Sequence, residues 1–132
     1  MKNLLIILGS ILVVGLVVFG ITKYTSNNNI NLTESNSGQT INVKVGNTIN
    51  ITLRNPGDGG YEFMTPTFDA NILKLEKSTH VSANSGMSGD FGSNTWTYKV
   101  TSKGNTQLKI DSVRPWDTND KVNNLSINIV SE

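Results

Sequence analysis

The sequence predicts an all-β fold: an immunoglobulin-like β-sandwich of about seven strands, preceded by an N-terminal transmembrane or signal helix. Three observations support this prediction. Apolar residues recur at every second position in several short segments between residues 41 and 129, and turn-forming residues separate these segments. No segment after residue 22 has a convincing helical period. The chain has 132 residues, which is the length of one domain.

The first 22 residues differ in kind from the rest. Lys2 precedes an uncharged apolar run at residues 4–21, and Lys23 follows it. As a helix this run would span roughly 27 Å, close to the hydrocarbon thickness of a bilayer. The run is longer than the core of an ordinary signal peptide and no clean cleavage site follows it. Residues 1–22 are therefore predicted to be an uncleaved signal anchor, with a removed signal peptide as the alternative.

Either alternative exports the remainder of the chain. We expect the protein to be anchored in the membrane on the outer face of the cell, or secreted if the N-terminal segment is cleaved. Residues 23–38 are polar and rich in Asn and Ser, so they are predicted to be a linker. The folded domain is then predicted to comprise residues 39–132.

Within this domain, alternation of apolar and polar residues predicts strands with one buried face and one solvated face. Weaker strand candidates lie at residues 61–68 and 72–77. Gly46 and Asn47 predict a tight hairpin between the first two strands, and the glycine-containing turns at residues 55–60 and 103–105 break the chain. The strongest alternating sets are Ile41, Val43 and Val45; Ile49, Ile51 and Leu53; Trp96, Tyr98 and Val100; Leu108 and Ile110; and Leu125, Ile127 and Ile129.

The composition argues against several classes of function. The formal net charge is +1, so no basic field indicates binding of nucleic acid. Cysteine is absent, which excludes a disulfide framework and a thiolate metal site. The single histidine, His80, lies among polar residues and has no cysteine to activate. Residues 117–120 (DTND) resemble half of a calcium loop but lack its glycine and closing glutamate, so a solvated turn is the better interpretation. We expect no enzyme activity, no cofactor and no metal.

Three loops carry the residues that suggest function. In a sandwich of this topology, the loop between the second and third strands and the loop between the sixth and seventh strands emerge at the same end, and these are the first and third of the three. A Trp beside an Arg at a loop tip is the composition of a binding hot spot. The alternative is that Trp116 caps the core while the aliphatic part of Arg114 covers it. The loops comprise Asn55, Pro56, Gly57, Asp58, Gly59, Gly60 and Tyr61; a glycine-rich segment at residues 85–93 that includes Gly89, Asp90, Phe91, Gly92 and Ser93; and Arg114, Pro115 and Trp116.

Asn-Pro…Gly-Tyr, then Gly-x-x-Gly-Ser before an aromatic strand, then Arg-Pro-Trp, resemble the three loop motifs of the chagasin-type inhibitors of papain-like cysteine peptidases. The resemblance extends over the domain from about residue 39 onward. It implies an immunoglobulin-like fold, a papain-like peptidase as partner, and inhibition without chemistry by a protein we expect to be monomeric. By this resemblance, residues 55–61 enter the catalytic cleft as a plug, while residues 89–93 and 114–116 grip its two walls.

The sequence departs from the family pattern in two places. The plug of the family usually reads Asn-Pro-Thr-Thr-Gly-Tyr, whereas Gly57, Asp58 and Gly59 replace the two threonines here and add one residue. Phe91 stands where the family often has glycine.

The alternative function is that of a cell-surface adhesion or assembly module, which binds another protein or a glycan through the same loops.

Overall fold

The computed structural model describes residues 28–83 and 85–132, which form two four-stranded β-sheets. The predicted anchor at residues 1–22 lies outside these residues. In the described part of the chain, no helix has the length and apolar character needed to cross a membrane.

Eight strands are divided equally between the two sheets. One sheet has the order β1-β3-β6-β5 and the other the order β2-β8-β7-β4. A short 3-10 helix, Glu34–Asn36, follows the first strand. This arrangement confirms the predicted all-β, immunoglobulin-like sandwich. The strands are β1 (Asn29–Leu32), β2 (Thr40–Val43), β3 (Thr48–Arg54), β4 (Glu62–Phe63), β5 (Leu73–Val81), β6 (Ser93–Val100), β7 (Gly104–Arg114) and β8 (Asp117–Ser131).

The core lies between the sheets and is built from the predicted alternating residues. In β3 the side chains of Ile49, Ile51 and Leu53 are fully buried. Each such side chain stabilises the fold by roughly 1.5–3 kcal/mol relative to an exposed one. Phe63 of β4 meets Trp96 of β6 edge to face, with ring centroids 4.9 Å apart. This contact joins the two sheets near the end at which loops follow β3 and precede β6.

The predicted hairpin at Gly46 and Asn47 is wrong, although the tight turn exists. The Asn47 backbone N–H donates to the Lys44 carbonyl oxygen at 3.0 Å. However, β2 pairs in parallel with β8, whereas β3 pairs antiparallel with β6, so the turn carries the chain from one sheet to the other. Val45, which was assigned to the buried set, is 47% exposed in this turn. Alternation shows which residues face the core, but it does not show which neighbouring strand a segment pairs with.

The folded unit also begins earlier than predicted. Asn29–Leu32, inside the segment predicted to be a linker, forms β1 and pairs in parallel with β3. Leu32 is only 4% exposed and belongs to the core. This strand has only four residues, in which Ile30 and Leu32 alternate with two exposed asparagines, so its pattern is too short to stand out from the polar segment around it.

The two weak strand candidates have different bounds in the structure. Residues 61–68 contain only the two-residue β4 and an isolated bridge between Thr67 and Lys109. In contrast, β5 begins at Leu73 and extends to Val81, well beyond the predicted end. A bulge between Leu75 and Lys77 shifts the register of β5, which interrupts the alternation on which the prediction depended.

Candidate functional site

Three loops lie together at one end of the sandwich. Loop 1 comprises residues 55–61 and joins β3 to β4. Loop 2 comprises residues 82–92 and joins β5 to β6; its residue 84 is outside the described part. Loop 3 is the turn Pro115-Trp116 between β7 and β8. The prediction that the first and third loops are neighbours is confirmed, because Arg114 Nε donates to the Gly59 carbonyl oxygen at 2.9 Å.

Asn55 fixes the start of loop 1 to loop 2 and to β6. Its backbone N–H donates to the Gly92 carbonyl oxygen at 2.9 Å. Its side-chain Nδ2 donates to Asn94 Oδ1 at 2.8 Å, and its Oδ1 accepts the Gly57 N–H at 2.9 Å. The amide is therefore engaged within the protein and orients the chain that follows it. Asn94 was not singled out from the sequence, since a polar residue in a strand gives no sign of its partner.

A tight turn at residues 57–60 forms the tip of loop 1. The Gly60 N–H donates to the Gly57 carbonyl oxygen at 3.0 Å, and Gly59 and Gly60 have φ values of 80° and 83°. Such values favour glycine. An aromatic ring covers each end of the turn. A Cβ on Gly57 would lie 2.7 Å from Cγ of Phe91, and a Cβ on Gly60 would lie 2.2 Å from Cη2 of Trp116. The turn therefore lies between a ring of loop 2 and a ring of loop 3.

Arg114, Tyr61 and Asp120 connect loop 1 to the β7–β8 hairpin. The Arg114 guanidinium carbon lies 4.6 Å from the Tyr61 ring centroid. Asp120 Oδ2 accepts from Tyr61 Oη at 2.9 Å and from Arg114 Nη1 at 3.2 Å. The hydrogen bond to Asp120, followed by desolvation, raises the pKa of Tyr61, which the Arg114 charge opposes. Asp120 thus fixes two of the predicted site residues relative to each other.

Asp120 was missed by the sequence analysis, and the solvated turn expected at residues 117–120 is wrong. These residues are the first four of β8, and Arg114 pairs with Asp117 across the hairpin. The available signal was the two-residue turn itself, because a short hairpin places the residues after Trp116 opposite those before Pro115. Among the described residues, no group of three or more acidic, histidine or cysteine side chains is placed to hold a metal ion.

Loop 2 is organised around Asp90 and Gly92. The Asp90 carboxylate accepts from Ser85 Oγ and from the Gly92 N–H. These two hydrogen bonds, that from Ser85 being the stronger influence, lower the pKa of Asp90. Gly92 has a φ of 79°, and a Cβ there would lie 1.9 Å from the Val81 carbonyl oxygen. Only glycine fits this close approach of two backbones.

Large apolar side chains are exposed at the end of the molecule that carries the loops. Of the six large apolar side chains that are exposed in the described residues, four lie at this end of the molecule: Val81, Met87, Phe91 and Trp116. Met87 and Trp116 are each 72% exposed. The alternative in which Trp116 caps the core is therefore wrong. Asp58 adds an exposed negative charge beside Gly89, because a Cβ on that glycine would lie 3.5 Å from Asp58 Oδ2.

The three loops form one surface at this end of the sandwich. Loop 1 lies in the middle of this surface, with loop 2 on one side and loop 3 on the other. Hydrogen bonds and ring contacts connect loop 1 to both neighbours. We call this surface, made of residues 55–61, 85–93 and 114–116, the wedge. A surface of this kind can enter a groove of a partner protein without any covalent reaction.

Known proteins share both the sequence pattern and the fold. A family model described as "Chagasin family peptidase inhibitor I42" matches residues 42–129. A search of curated protein sequences gives no match. Among solved structures, the cysteine protease inhibitor EhICP2 from Entamoeba histolytica is similar, with a TM-score of 0.66 and 20% identity; the similarity covers 79% of this chain and 95% of that chain.

Two further solved structures have the same fold. Amebosin has a TM-score of 0.63 and 20% identity, covering 79% of this chain and 98% of that chain. PbICP-C, solved in complex with falcipain-2, has a TM-score of 0.59 and 13% identity, covering 78% of this chain and 99% of that chain. The family match spans nearly the whole sandwich, from the last residues of β2 to the last residues of β8. The chain therefore belongs to the chagasin family of peptidase inhibitors, and it is an inhibitor rather than an enzyme.

Proposed function

We propose that this protein is a reversible inhibitor of papain-like cysteine peptidases and that the wedge occupies the active-site cleft of the enzyme. Loop 1 enters the cleft, while loops 2 and 3 contact its two walls. Family membership supports this proposal, as does the similarity to PbICP-C, whose structure was solved with falcipain-2. The observation that carries it is that all three loops form a single surface. Hydrogen bonds of Asn55 and Arg114 and the packing of two aromatic rings connect them.

Rigidity is the physical basis of the proposed inhibition. Ordering a flexible loop on binding costs roughly 0.5–1.5 kcal/mol for each side chain that becomes immobilised. The wedge has met much of this cost on folding, since Asn55 and Arg114 already make their hydrogen bonds within the protein. A preordered wedge can therefore convert more of its contact energy into affinity.

The predicted binding residues fall into two groups. Asn55, Gly92 and Arg114 use their polar groups inside the protein, so we assign to them the positioning of the wedge. Trp116, Phe91 and Asp58 present surface to solvent, and we assign to them direct contact with the enzyme. Trp116 has the largest exposed apolar surface of these three and is the expected hot spot.

We also propose that residues 1–22 anchor the protein in a membrane and that the inhibitor domain lies on the outer face of the cell as a monomer. The uncharged apolar run at residues 4–21 supports the anchor. The folded domain begins at β1, so only a few polar residues separate it from this run.

The proposal is tested by titrating papain and a cathepsin L-type enzyme with the protein and following loss of peptidase activity. The soluble fragment should begin at residue 28 rather than 36, because β1 contributes Leu32 to the core. We expect stoichiometric, reversible inhibition at nanomolar concentration. Val45→Ala is the matched control, since Val45 is 47% exposed in the turn between β2 and β3, away from the wedge. A folded fragment that leaves both enzymes active at micromolar concentration would instead favour the adhesion or assembly module.

A further inference from the structure

Gly57 differs from the other glycines of the loop 1 turn in one respect. Gly59 and Gly60 have positive φ values, which explains their identity by backbone conformation alone. Gly57 does not have a positive φ, so its backbone would accept any residue. A side chain there would first meet the ring of Phe91, whose Cγ and Cδ1 would lie 2.7 and 2.9 Å from a Cβ, with Asn55 Oδ1 next at 3.0 Å.

Phe91 is itself held in place by its neighbours in loop 2. Gly92 accepts the Asn55 N–H through its carbonyl oxygen, and its own N–H donates to Asp90. Gly92 is also confined by the Val81 carbonyl oxygen. Phe91 is 45% exposed, so one part of it covers Gly57 while the rest faces solvent. The contact therefore joins a ring next to a hydrogen-bonded part of loop 2 to a glycine of the loop 1 turn.

We propose that Phe91, besides the contact that its exposed part makes with the enzyme, is a positioning residue, which sets the conformation of the 57–60 turn through its contact with Gly57. The inference rests on the proposed function, because the turn is taken to be the part that enters the cleft. It also joins the two departures from the family motif. A side chain is lost at position 57 and a ring is gained at position 91, and the ring occupies the space that the side chain would fill.

The consequence is a coupling between positions 57 and 91. In the native protein Gly57→Ala forces the ring or the turn to move, and we expect inhibition to weaken roughly tenfold, the size of effect that loss of preorganisation produces. Phe91→Ala frees the turn and also removes the exposed part of the ring, so it should weaken inhibition at least as much. In the Phe91→Ala background the added methyl group no longer meets the ring, and only Asn55 Oδ1, 3.0 Å from the Cβ position, remains close. Alanine also restricts the unfolded and mobile states more than glycine does. There Gly57→Ala should cause no further loss, or a partial recovery.

The experiment uses the full chain, kept in solution with a mild detergent because of its apolar N-terminal run. Inhibition of papain is measured for the native protein, Gly57→Ala, Phe91→Ala and the double variant. Met87→Ala is the matched control, since it removes an exposed apolar side chain from the same loop, and the three atoms nearest a Cβ on Gly57 belong to Phe91 and Asn55. Combined with Gly57→Ala, it should not restore inhibition. If Phe91→Ala proves poorly folded, Phe91→Leu takes its place in the cycle.

A second measurement does not depend on any enzyme. Hydrogen exchange of the Gly60 amide, which donates to the Gly57 carbonyl oxygen, reports the order of the turn in the free protein. We expect this amide to exchange several-fold faster in Phe91→Ala and unchanged in Met87→Ala. Faster exchange without inhibition by the native protein would overturn the proposed function and leave the positioning role supported. Unchanged exchange, together with an equal loss from Gly57→Ala in both backgrounds, would overturn the positioning role.

Discussion

The two tryptophans of this protein lie in opposite surroundings. Trp96, in β6, is 4% exposed and meets the Phe63 ring at 4.9 Å. Trp116, in the turn between β7 and β8, is 72% exposed, and its ring packs against Gly60. The same side chain therefore joins the two sheets in one place and covers the tip of the wedge in the other. The difference shows that the strands supply stability, while the loops display surface that the core does not need.

The largest expected effect is on stability and comes from Trp96→Ala. Removal of a buried tryptophan should lower the free energy of unfolding by about 3–5 kcal/mol, because it leaves a cavity beside Phe63. Chemical denaturation measures this loss. The fraction that remains folded should still inhibit, since Trp96 is buried between the sheets and presents almost no surface to a partner. A loss below about 1 kcal/mol would contradict the role of Trp96 in joining the sheets.

Trp116→Ala should have the reverse effect. We expect inhibition to weaken by about 2 kcal/mol, some thirtyfold, because a large exposed ring at the side of the plug is lost. The free energy of unfolding should change by less than about 0.5 kcal/mol, as is usual for a surface residue. Parallel inhibition and denaturation curves separate the two outcomes. Unchanged inhibition would remove Trp116 from the contact surface.

Asp120→Asn tests the connection beneath the wedge and has the smallest expected effect. The Arg114–Asp120 pair is partly exposed, with side-chain exposures of 36% and 38%, so its loss should weaken inhibition by only about 0.5 kcal/mol, or two- to threefold. The same change should lower the pKa of Tyr61, because the carboxylate that raises it is gone while the Arg114 charge remains. A pH titration of the Tyr61 ring by NMR measures the shift.

The sign of the pH dependence follows from the same contact. Because folding raises the pKa of Tyr61 above its ordinary value of 10.0, the hydrogen bond to Asp120 stabilises the native state fully below that pH. This stabilisation is lost as the pH rises through the pKa of the folded protein. In Asp120→Asn the alkaline loss of stability should therefore be smaller. An unchanged Tyr61 titration would show that the hydrogen bond does not persist in solution.

The strands also differ in how well the sequence predicted them. Alternation correctly identified the buried residues of β3, β6, β7 and β8, because burial on one face leaves a direct pattern. It did not identify β1, where only Ile30 and Leu32 are apolar, or the crossing of the chain between sheets at Gly46. Strand pairing depends on contacts between distant segments, and a local pattern does not contain that information.

The wedge was also predictable only in part, because its loops have a recognisable composition but its internal contacts join distant segments. The loops were recognised by their glycines, proline and exposed aromatic residues, and their neighbourhood followed from the sandwich topology. The roles within the wedge were not recognised. Asp120 and Asn94 lie in strands, and their contacts with Tyr61 and Asn55 join residues 59 and 39 positions apart. The contact between Phe91 and Gly57 likewise needs the folded loops before it exists.

The direction of β1 places the start of the described chain at the end of the sandwich opposite the wedge. Asn29 pairs with Thr48, at the end of β3 farthest from loop 1, and Leu32 pairs with Ile51. The chain before β1 therefore joins the sandwich at the pole opposite the wedge. Residues 22–28 can reach at most roughly 25 Å from the apolar run. If residues 1–22 anchor the protein in a membrane, as we propose, so short a tether would hold the end of the sandwich opposite the wedge near the lipid headgroups and leave the wedge facing away from the membrane.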